Sequence, residues 1–292
     1  MEKIGFVGLG VMGKPMSKNL LKAGYPLVVY DLNQEALNEL VGMGAERGYS
    51  PKDVAEKTRI IITMLPDSPQ VKEVVFGKDG IIEGVKEGSI LLDMSSIAPL
   101  ISREIACKLG EKRVRMLDAP VSGGEPKAID GTLAIMVGGE EDDLAEVSKI
   151  LKVLGGSVVY CGKIGAGNVT KLANQVIVAV NIAAMSEAFV LAAKAGVDPE
   201  VVYNAIRGGL AGSTVLDAKA PLVFIRKFDP GFRIKLHIKD LNNVMKTGNE
   251  VGSPLPLTHT VLEMMEHLKV DGYENEDHSA LIRYYEKISS KG

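Results

Sequence analysis

The sequence predicts an α/β domain built on a mainly parallel sheet, followed by an all-α domain. Three observations lead there. Up to about residue 163, short β-branched runs alternate with stretches of helical spacing, the rhythm of βαβ units. Beyond Gly162-Lys163-Ile164-Gly165-Ala166-Gly167 the strand signal stops and helical periodicity continues almost to the last residue. The length of 292 residues is about two domains at roughly 150 residues each. The expected domains are therefore 1–163 and 164–292.

Within the first domain the strands are expected at Ile4–Gly8, Leu27–Asp31, Arg59–Leu65, Ile90–Met94, Arg115–Asp118, Ala134–Gly138 and Ser157–Cys161. Helical patterns lie between them around Met12–Ala23, Gln34–Met43, Ser68–Phe76, Pro99–Leu109 and Glu140–Leu154. Asp67-Ser68-Pro69 and Gly139-Glu140 supply capping or turn residues ahead of two of these. The second domain opens with a long, mostly apolar helix beginning near Gly167. Asp198-Pro199-Glu200 reads as an N-cap with proline at the first helical position, Gly252-Ser253-Pro254 separates two helices, and Asp277–Ile288 is a final amphipathic helix.

Composition excludes several classes. Hydrophobic residues make up 46% and charged residues 24%, enough apolar side chain for a packed core and too much for a disordered chain. The 34 basic residues are balanced by 37 acidic ones, and without a basic cluster no nucleic acid partner is expected. Cys107 and Cys161 are the only cysteines, which suits a reduced compartment. His237, His259, His267 and His278 are not spaced as a metal set, and no metal is expected. Met1-Glu2-Lys3 leads into an apolar run too short and glycine-rich for a signal peptide, so the cytoplasm is the expected location. Leu172–Ala193 is long enough to span a bilayer, but Asn174, Gln175, Asn181, Ser186 and Glu187 within it would be costly against lipid. It is expected as a helix buried inside protein, with no membrane partner.

Gly8-Leu9-Gly10-Val11-Met12-Gly13 is a GxGxxG placed directly after an apolar strand and directly before a helical pattern. Gly8 permits the tight turn, Gly10 lets the backbone approach a pyrophosphate, Gly13 allows close helix–strand packing, and the helix N-terminus offers N–H groups to the anion. The next strand ends in Asp31, 18 positions after Gly13, where a carboxylate accepts hydrogen bonds from ribose hydroxyls. Asp31 also reads as a solvent-facing turn residue. The expected ligand is a dinucleotide held by Gly8, Leu9, Gly10, Val11, Met12, Gly13, Asp31 and Leu32. The carboxylate repels a 2′-phosphate, and Leu32-Asn33-Gln34 brings no arginine, so NAD is preferred and NADP possible.

The long helix carries a polar stripe. Lys171, Asn174 and Gln175 fall at i, i+3 and i+4, with Asn168 one turn before and Asn181 two turns beyond. Such a stripe costs desolvation unless protein groups satisfy it or it faces a wet cleft. One reading is helix-to-helix hydrogen bonding with Lys171 snorkelling to the surface. The other faces Lys171, Asn174 and Gln175 toward a substrate, Lys171 giving a proton to an alkoxide made by hydride arriving at a carbonyl carbon. Two loops add to this. Asp118-Ala119-Pro120-Val121-Ser122-Gly123-Gly124 ends in a tip suited to a small carboxylate, or is a simple turn. Asp93-Met94-Ser95-Ser96 ends a strand where ligands of open α/β sheets gather, or caps the helix after Pro99.

Gly8–Gly13 with Lys14-Pro15-Met16, Met64-Leu65-Pro66, Asp93–Ser96, Asp118–Gly124, Gly162-x-x-Gly165-x-Gly167-x-x-x-Lys171-x-x-Asn174 and Lys239-Asp240-Leu241 together resemble the β-hydroxyacid dehydrogenase family over essentially the whole chain. The resemblance implies a Rossmann domain plus a helical domain, the latter forming most of the interface of a homodimer or homotetramer. It implies that Lys171 is catalytic, that Asn174 binds substrate, and that Ser122, Gly123 and Gly124 receive the substrate carboxylate. Ser96 and Lys239 would lie against the cofactor with Met64, Leu65 and Pro66. Gly123–Thr132, Ala205–Ser213 and His237–Asp240 are similar to the branch that reduces tartronate semialdehyde, while Glu125 and Lys127 depart from the general pattern. The implied reaction carries hydride from NADH to the aldehyde carbon of a three-carbon acid, giving glycerate. Other short acids (3-hydroxyisobutyrate, succinic semialdehyde) and a non-catalytic dinucleotide-binding module stay open. Lys171 and the absence of an arginine-rich phosphate pocket count against an imine reductase or a 6-phosphogluconate-type enzyme.

Overall fold

The computed structural model describes residues 1–290. The chain divides into two compact units, Met1–Lys171 and a second beginning at Leu172.

The strands of the first unit are β1 (Ile4–Val7), β2 (Leu27–Tyr30), β3 (Glu46–Arg47), β4 (Ile60–Thr63), β5 (Ile90–Asp93), β6 (Arg115–Asp118), β7 (Val121–Ser122), β8 (Leu133–Gly138) and β9 (Gly155–Gly162). Its helices are α1 (Gly13–Lys22), α2 (Gln34–Gly42), α3 (Pro51–Lys57), α4 (Ser68–Phe76), α5 (Ile81–Gly84), α6 (Pro99–Gly110), α7 (Gly124–Asp130) and α8 (Glu141–Leu154). They are followed by α9 (Ala166–Lys194), whose first turns belong to this unit. The sheet order is β3-β2-β1-β4-β5-β6-β8-β7, with β9 pairing β8. From β3 to β6 every pairing is parallel, whereas β8 runs against β6 and β7. The fold is the expected Rossmann type, with an antiparallel strand beyond the six-stranded parallel part.

All four residues of β1, β4 and β5 are buried, because helices cover both faces of a parallel sheet. The faces alternate: Ile4, Phe6, Ile60, Ile62 and Leu92 enter one core and Val7, Ile61 and Leu91 the other. Five short elements have too little periodicity to be seen in the sequence, namely β3, β7, α3, α5 and α7. Consequently Ser122-Gly123-Gly124 is not a loop tip but the end of β7 and the start of α7. Because β1 pairs both β2 and β4, the chain order reverses there, and the carboxyl ends of the strands at such a switch point are where ligands of open α/β sheets bind. Val7 pairs with Thr63, Thr63 with Asp93, and Asp93 with Asp118 along that edge.

The second unit contains the rest of α9 with α10 (Pro199–Ile206), α11 (Thr214–Phe224), α12 (Ile234–Val251), α13 (Pro256–Val270), a short 3-10 helix (His278–Leu281) and α14 (Ile282–Ser289). Phe189, Leu216, Ile234, Leu241, Met265 and Leu281 fill its core. Asp198 caps α10 through the Glu200 N–H, as expected. The expected final helix is split, because the Asp277 carboxylate takes the Ser279 N–H and tightens the first turn. One expectation needs correction. Only 33% of the most apolar stretch of α9 is buried, and Ile177 and Leu191 are exposed. Asn168, Lys171, Gln175 and Ser186 are buried with Leu172, Ala179 and Ile182 while Glu187 is exposed, so the helix is buried along one face in this chain and not all round.

Candidate active site

The glycine-rich turn has the geometry its sequence requires. At Gly8, where φ is +99°, an added Cβ would stand 2.3 Å from the Met64 carbonyl oxygen, and at Gly13 it would stand 1.9 Å from the Gly8 carbonyl oxygen. Both are backbone collisions that cannot be relieved by a side chain moving. Gly10 has nothing within 4 Å of its Cβ position, so the main chain there is open to a ligand. Helix α1 starts immediately afterwards, and its N-cap residue Met12 makes no side-chain hydrogen bond to it. The Lys14 N–H is taken by the Gly10 carbonyl at 3.0 Å and Pro15 has none, so within the first turn the Gly13 N–H is the donor left for an anion. These features fit the pyrophosphate of a dinucleotide.

Asp31, just past β2, is fixed against this turn. One carboxylate oxygen accepts the Leu9 N–H at 2.5 Å and the other the Asn33 N–H at 2.6 Å. Each oxygen keeps a second lone pair, so the group can brace the loop and still accept ribose hydroxyls. It is not a free turn residue facing solvent. Leu32 beside it is 84% exposed, an apolar surface at the mouth of the turn. Residues 32–34 carry no arginine, yet Arg47 reaches the same segment from further along the chain. The guanidinium of Arg47 donates to Gln34 Oε1 at 3.1 Å and to Asn38 Oδ1, beside the first turns of α2.

The other first-unit residues gather along the carboxyl edge of the sheet. Ser95 accepts the Leu65 N–H at 2.9 Å, holding Met64-Leu65-Pro66, and its own N–H donates to Asp93 Oδ1. Thr63 donates to the same oxygen at 2.8 Å. The alternative role for these serines, capping α6, is not found: Ala98 occupies the N-cap and makes no side-chain cap bond. Ser96 is half-buried on the same loop. Ser122 pairs with Ala134 of β8, and Gly123 has φ of +136° with the Lys127 side chain lying across it.

Asp118 and Asn168 fix the start of α9. Asp118 accepts the Gly165 N–H at 2.6 Å and the Asn168 N–H at 2.7 Å, a cap supplied from β6 across the sheet edge. Burial pushes the Asp118 carboxyl up to about 7, outweighing those two N–H donors. Asn168 accepts the Ile97 N–H and donates to Ser102 Oγ, both at 3.1 Å. The first member of the polar stripe is thus a docking group. Lys171, one turn later, is 7% exposed, so its ammonium does not snorkel to open solvent.

In the second unit the stripe continues as a network. Asn174 Nδ2 donates to Gln175 Oε1 at 2.8 Å, and Gln175 Nε2 donates to Asp240 Oδ2 at 2.6 Å. Lys239 pairs with Asp240 at 2.8 Å. His237 Nε2 lies 3.3 Å from the Gln175 carbonyl oxygen, and its Nδ1 lies 2.9 Å from His278 Nδ1. This pairing of residues 41 apart had no signal in the sequence. Among the described residues no set of three or more His, Cys, Asp or Glu side chains could hold a metal ion.

A Rossmann sheet with an open glycine turn, followed by a helix carrying a buried lysine, defines a dinucleotide-dependent oxidoreductase. Residues 3–162 match the NAD binding domain of 6-phosphogluconate dehydrogenase, and residues 165–285 match the NAD-binding domain of NADP-dependent 3-hydroxyisobutyrate dehydrogenase. The chain belongs to the β-hydroxyacid dehydrogenase family of NAD(P)-dependent oxidoreductases. It is 42% identical to the 2-hydroxy-3-oxopropionate reductase of Escherichia coli, over 99% of this chain and 98% of that one. It is 35% identical to human mitochondrial 3-hydroxyisobutyrate dehydrogenase, over 96% of this chain and 86% of that protein. The solved 3-hydroxyisobutyrate dehydrogenase of Mycobacterium tuberculosis with L-serine superposes with a TM-score of 0.91 at 30% identity, covering 97% of this chain and 98% of the other.

Proposed function

We propose that this enzyme reduces tartronate semialdehyde (2-hydroxy-3-oxopropanoate) to D-glycerate, using NADH in preference to NADPH, with Lys171 as the general acid. The observation that carries the reading is Lys171 itself. It is a buried lysine one turn beyond Asn168, which is bonded to the Asp118 and Ile97 segments at the carboxyl edge of the sheet. The 42% identity to the Escherichia coli reductase supports the substrate, as do Glu125 and Lys127 in place of the general family pattern.

A bound reduced nicotinamide supplies hydride to the aldehyde carbon. Gly8, Leu9, Gly10, Val11, Met12 and Gly13 hold the pyrophosphate, and Asp31 and Leu32 hold the adenosine end. Met64, Leu65, Pro66, Ser96 and Lys239 line the remainder of the cofactor. Ser122, Gly123 and Gly124 receive the substrate carboxylate, and Asn174 orients the substrate. Lys171 gives a proton to the oxygen that gains negative charge as hydride arrives, and until then its ammonium stabilises that oxygen as a fixed charge. In the reverse direction the same amine takes the proton back.

Arg47 favours a second cofactor reading. A guanidinium beside the start of α2 offers a 2′-phosphate a bidentate partner, so NADPH is accepted as the weaker cofactor. The test is a coupled NADH-oxidation assay over a panel of short semialdehyde acids, repeated with NADPH. Tartronate semialdehyde is expected to give the highest kcat/KM. Preference for a branched or four-carbon acid by more than about 10², or 2.7 kcal/mol, would move the enzyme to another member of the family. Tight NADH binding without turnover would make the chain a nucleotide-binding module.

A further inference from the structure

We propose that Gln175 is a positioning residue whose amide, polarised by Asp240, turns Asn174 so that it presents a hydrogen-bond acceptor. The acceptor selects substrates that carry a hydroxyl beside the reacting carbon. The inference rests on the reading of function above and names what makes the enzyme choose a hydroxylated acid over its methyl counterpart.

One chain of donors and acceptors fixes both amides. Asp240 is 2% exposed and pairs with the Lys239 ammonium; an ionised carboxylate accepts and cannot donate. The end of the Gln175 amide that faces it, 2.6 Å away, is therefore the NH₂ end. That places the Gln175 oxygen on the other side, where Asn174 meets it at 2.8 Å. An amide oxygen also only accepts, so Asn174 must turn its own NH₂ toward Gln175. The Asn174 oxygen Oδ1 then faces away from Gln175. Rotating the Gln175 amide by half a turn would set oxygen against oxygen at Asp240 and nitrogen against nitrogen at Asn174, and rotating Asn174 would set oxygen against oxygen at Gln175, with the cost of unmade buried hydrogen bonds at each contact.

The backbone beneath the pair is held as well. The Gln175 carbonyl can only accept, so His237 Nε2 is a donor, and His237 is fully buried with His278 against its other nitrogen. Gln175 itself is 4% exposed, with both ends of its amide used inside the protein. It is thus unsuited to touching substrate, and it acts on the reaction through Asn174. A site that offers an acceptor favours a ligand hydroxyl and leaves a methyl group in its place with an unmade hydrogen bond.

The experiment compares kcat/KM for 2-hydroxy-3-oxopropanoate and 2-methyl-3-oxopropanoate in the wild type, Gln175→Leu and Gln175→Glu. The wild type is expected to favour the hydroxylated acid by at least about tenfold. In Gln175→Leu the ratio should fall toward unity through the hydroxylated substrate alone, with dinucleotide affinity unchanged. Gln175→Glu keeps the shape and, when protonated, offers the same donor and acceptor ends. Its selectivity should return as the pH is lowered, with Asp240, Lys239, His237 and His278 the charged or titratable groups around it. A Gln175→Leu ratio equal to the wild type's, or a Gln175→Glu ratio that does not change with pH, overturns the positioning role and leaves the assigned reaction standing. If the wild type turns over neither acid, the assigned reaction falls. The side-chain amide signal of ¹⁵N-asparagine-labelled protein then decides the positioning role by itself. Loss of Gln175 is expected to shift the Asn174 NH₂ pair, and an unmoved pair overturns the proposal.

Discussion

Asp118 in the first unit and Asp277 in the second are both fully buried and both accept main-chain N–H groups, yet their acidities move in opposite directions. Asp118 has the N–H groups of Gly165 and Asn168, and burial still pushes it up to about 7. Asp277 has the N–H groups of Gly231, Phe232 and Ser279 together with the Lys219 ammonium. Burial pushes it upward too, but the charges of His278 and Lys219 hold it well below the ordinary carboxylate range. Main-chain dipoles orient a buried carboxylate without offsetting its lost hydration, whereas a full opposite charge does offset it. The same contrast separates the two sets of candidate residues. The first unit builds its part largely from glycines and main-chain N–H groups, with the Thr63–Asp93 and Asn168–Ser102 bonds beside them, and the second from side chains bonded to one another.

Four experiments break or sharpen that contrast. The largest effect is expected at Lys171, the one buried ammonium in the main-chain-built half. Lys171→Ala should lower kcat by about 10³ while the dinucleotide Kd, read by fluorescence titration, stays within about threefold. Near-normal turnover would remove lysine from the chemistry. Next, Asp277→Asn leaves the Lys219 charge unpaired and should cost about 3 kcal/mol in urea unfolding at neutral pH. Because the folded-state pKa of Asp277 is depressed, its contribution is present above the ordinary carboxylate range and lost as pH falls below it. The difference between wild type and variant should therefore shrink in acid.

Asp118 should show the opposite sign. Its folded value of about 7 lies above its unfolded one, so its contribution is complete below about pH 4 and is lost as pH rises toward 7. Between those limits the wild type should lose on the order of 3 kcal/mol that Asp118→Asn does not lose. Parallel pH profiles for the two proteins would mean that the carboxylate is ionised throughout, its two N–H donors being sufficient after all. The smallest effect is expected at Asp31. Asp31→Asn removes the charge that opposes a 2′-phosphate and should narrow the NADH to NADPH ratio of kcat/KM by about tenfold. An unchanged ratio would place the discrimination at Arg47.

The legible parts of the site are those that a local rule dictates. Gly8, Gly10 and Gly13 announce a turn because only glycine avoids the Met64 and Gly8 carbonyls while leaving the middle of the turn open. Asp31 was legible from its distance to that turn, and Lys171, Asn174 and Gln175 from their common helix face. Arg47 was not, because it reaches Gln34 from a two-residue strand 13 positions further on. Nor were the hydrogen-bond partners of Gln175. Its place on the stripe suggested contact with substrate, and only the carboxylate of Asp240, 65 residues away, commits its amide to the protein. The apolar composition of α9 overstates its burial, since composition does not say which face finds a partner.

The sequence by itself determined the order of elements, the mainly parallel sheet and the switch from α/β to all-α, because hydrophobic period and glycine placement act over a few neighbouring residues. The tertiary structure alone decided which buried polar groups are paired and with what. Gly165 beside Asp118, Asp240 beside Gln175, His278 beside His237 and Lys219 beside Asp277 lie 41 to 65 residues away along the chain. The free energy of a buried charge or amide is set by the groups within a few ångströms of it, however distant they are along the chain.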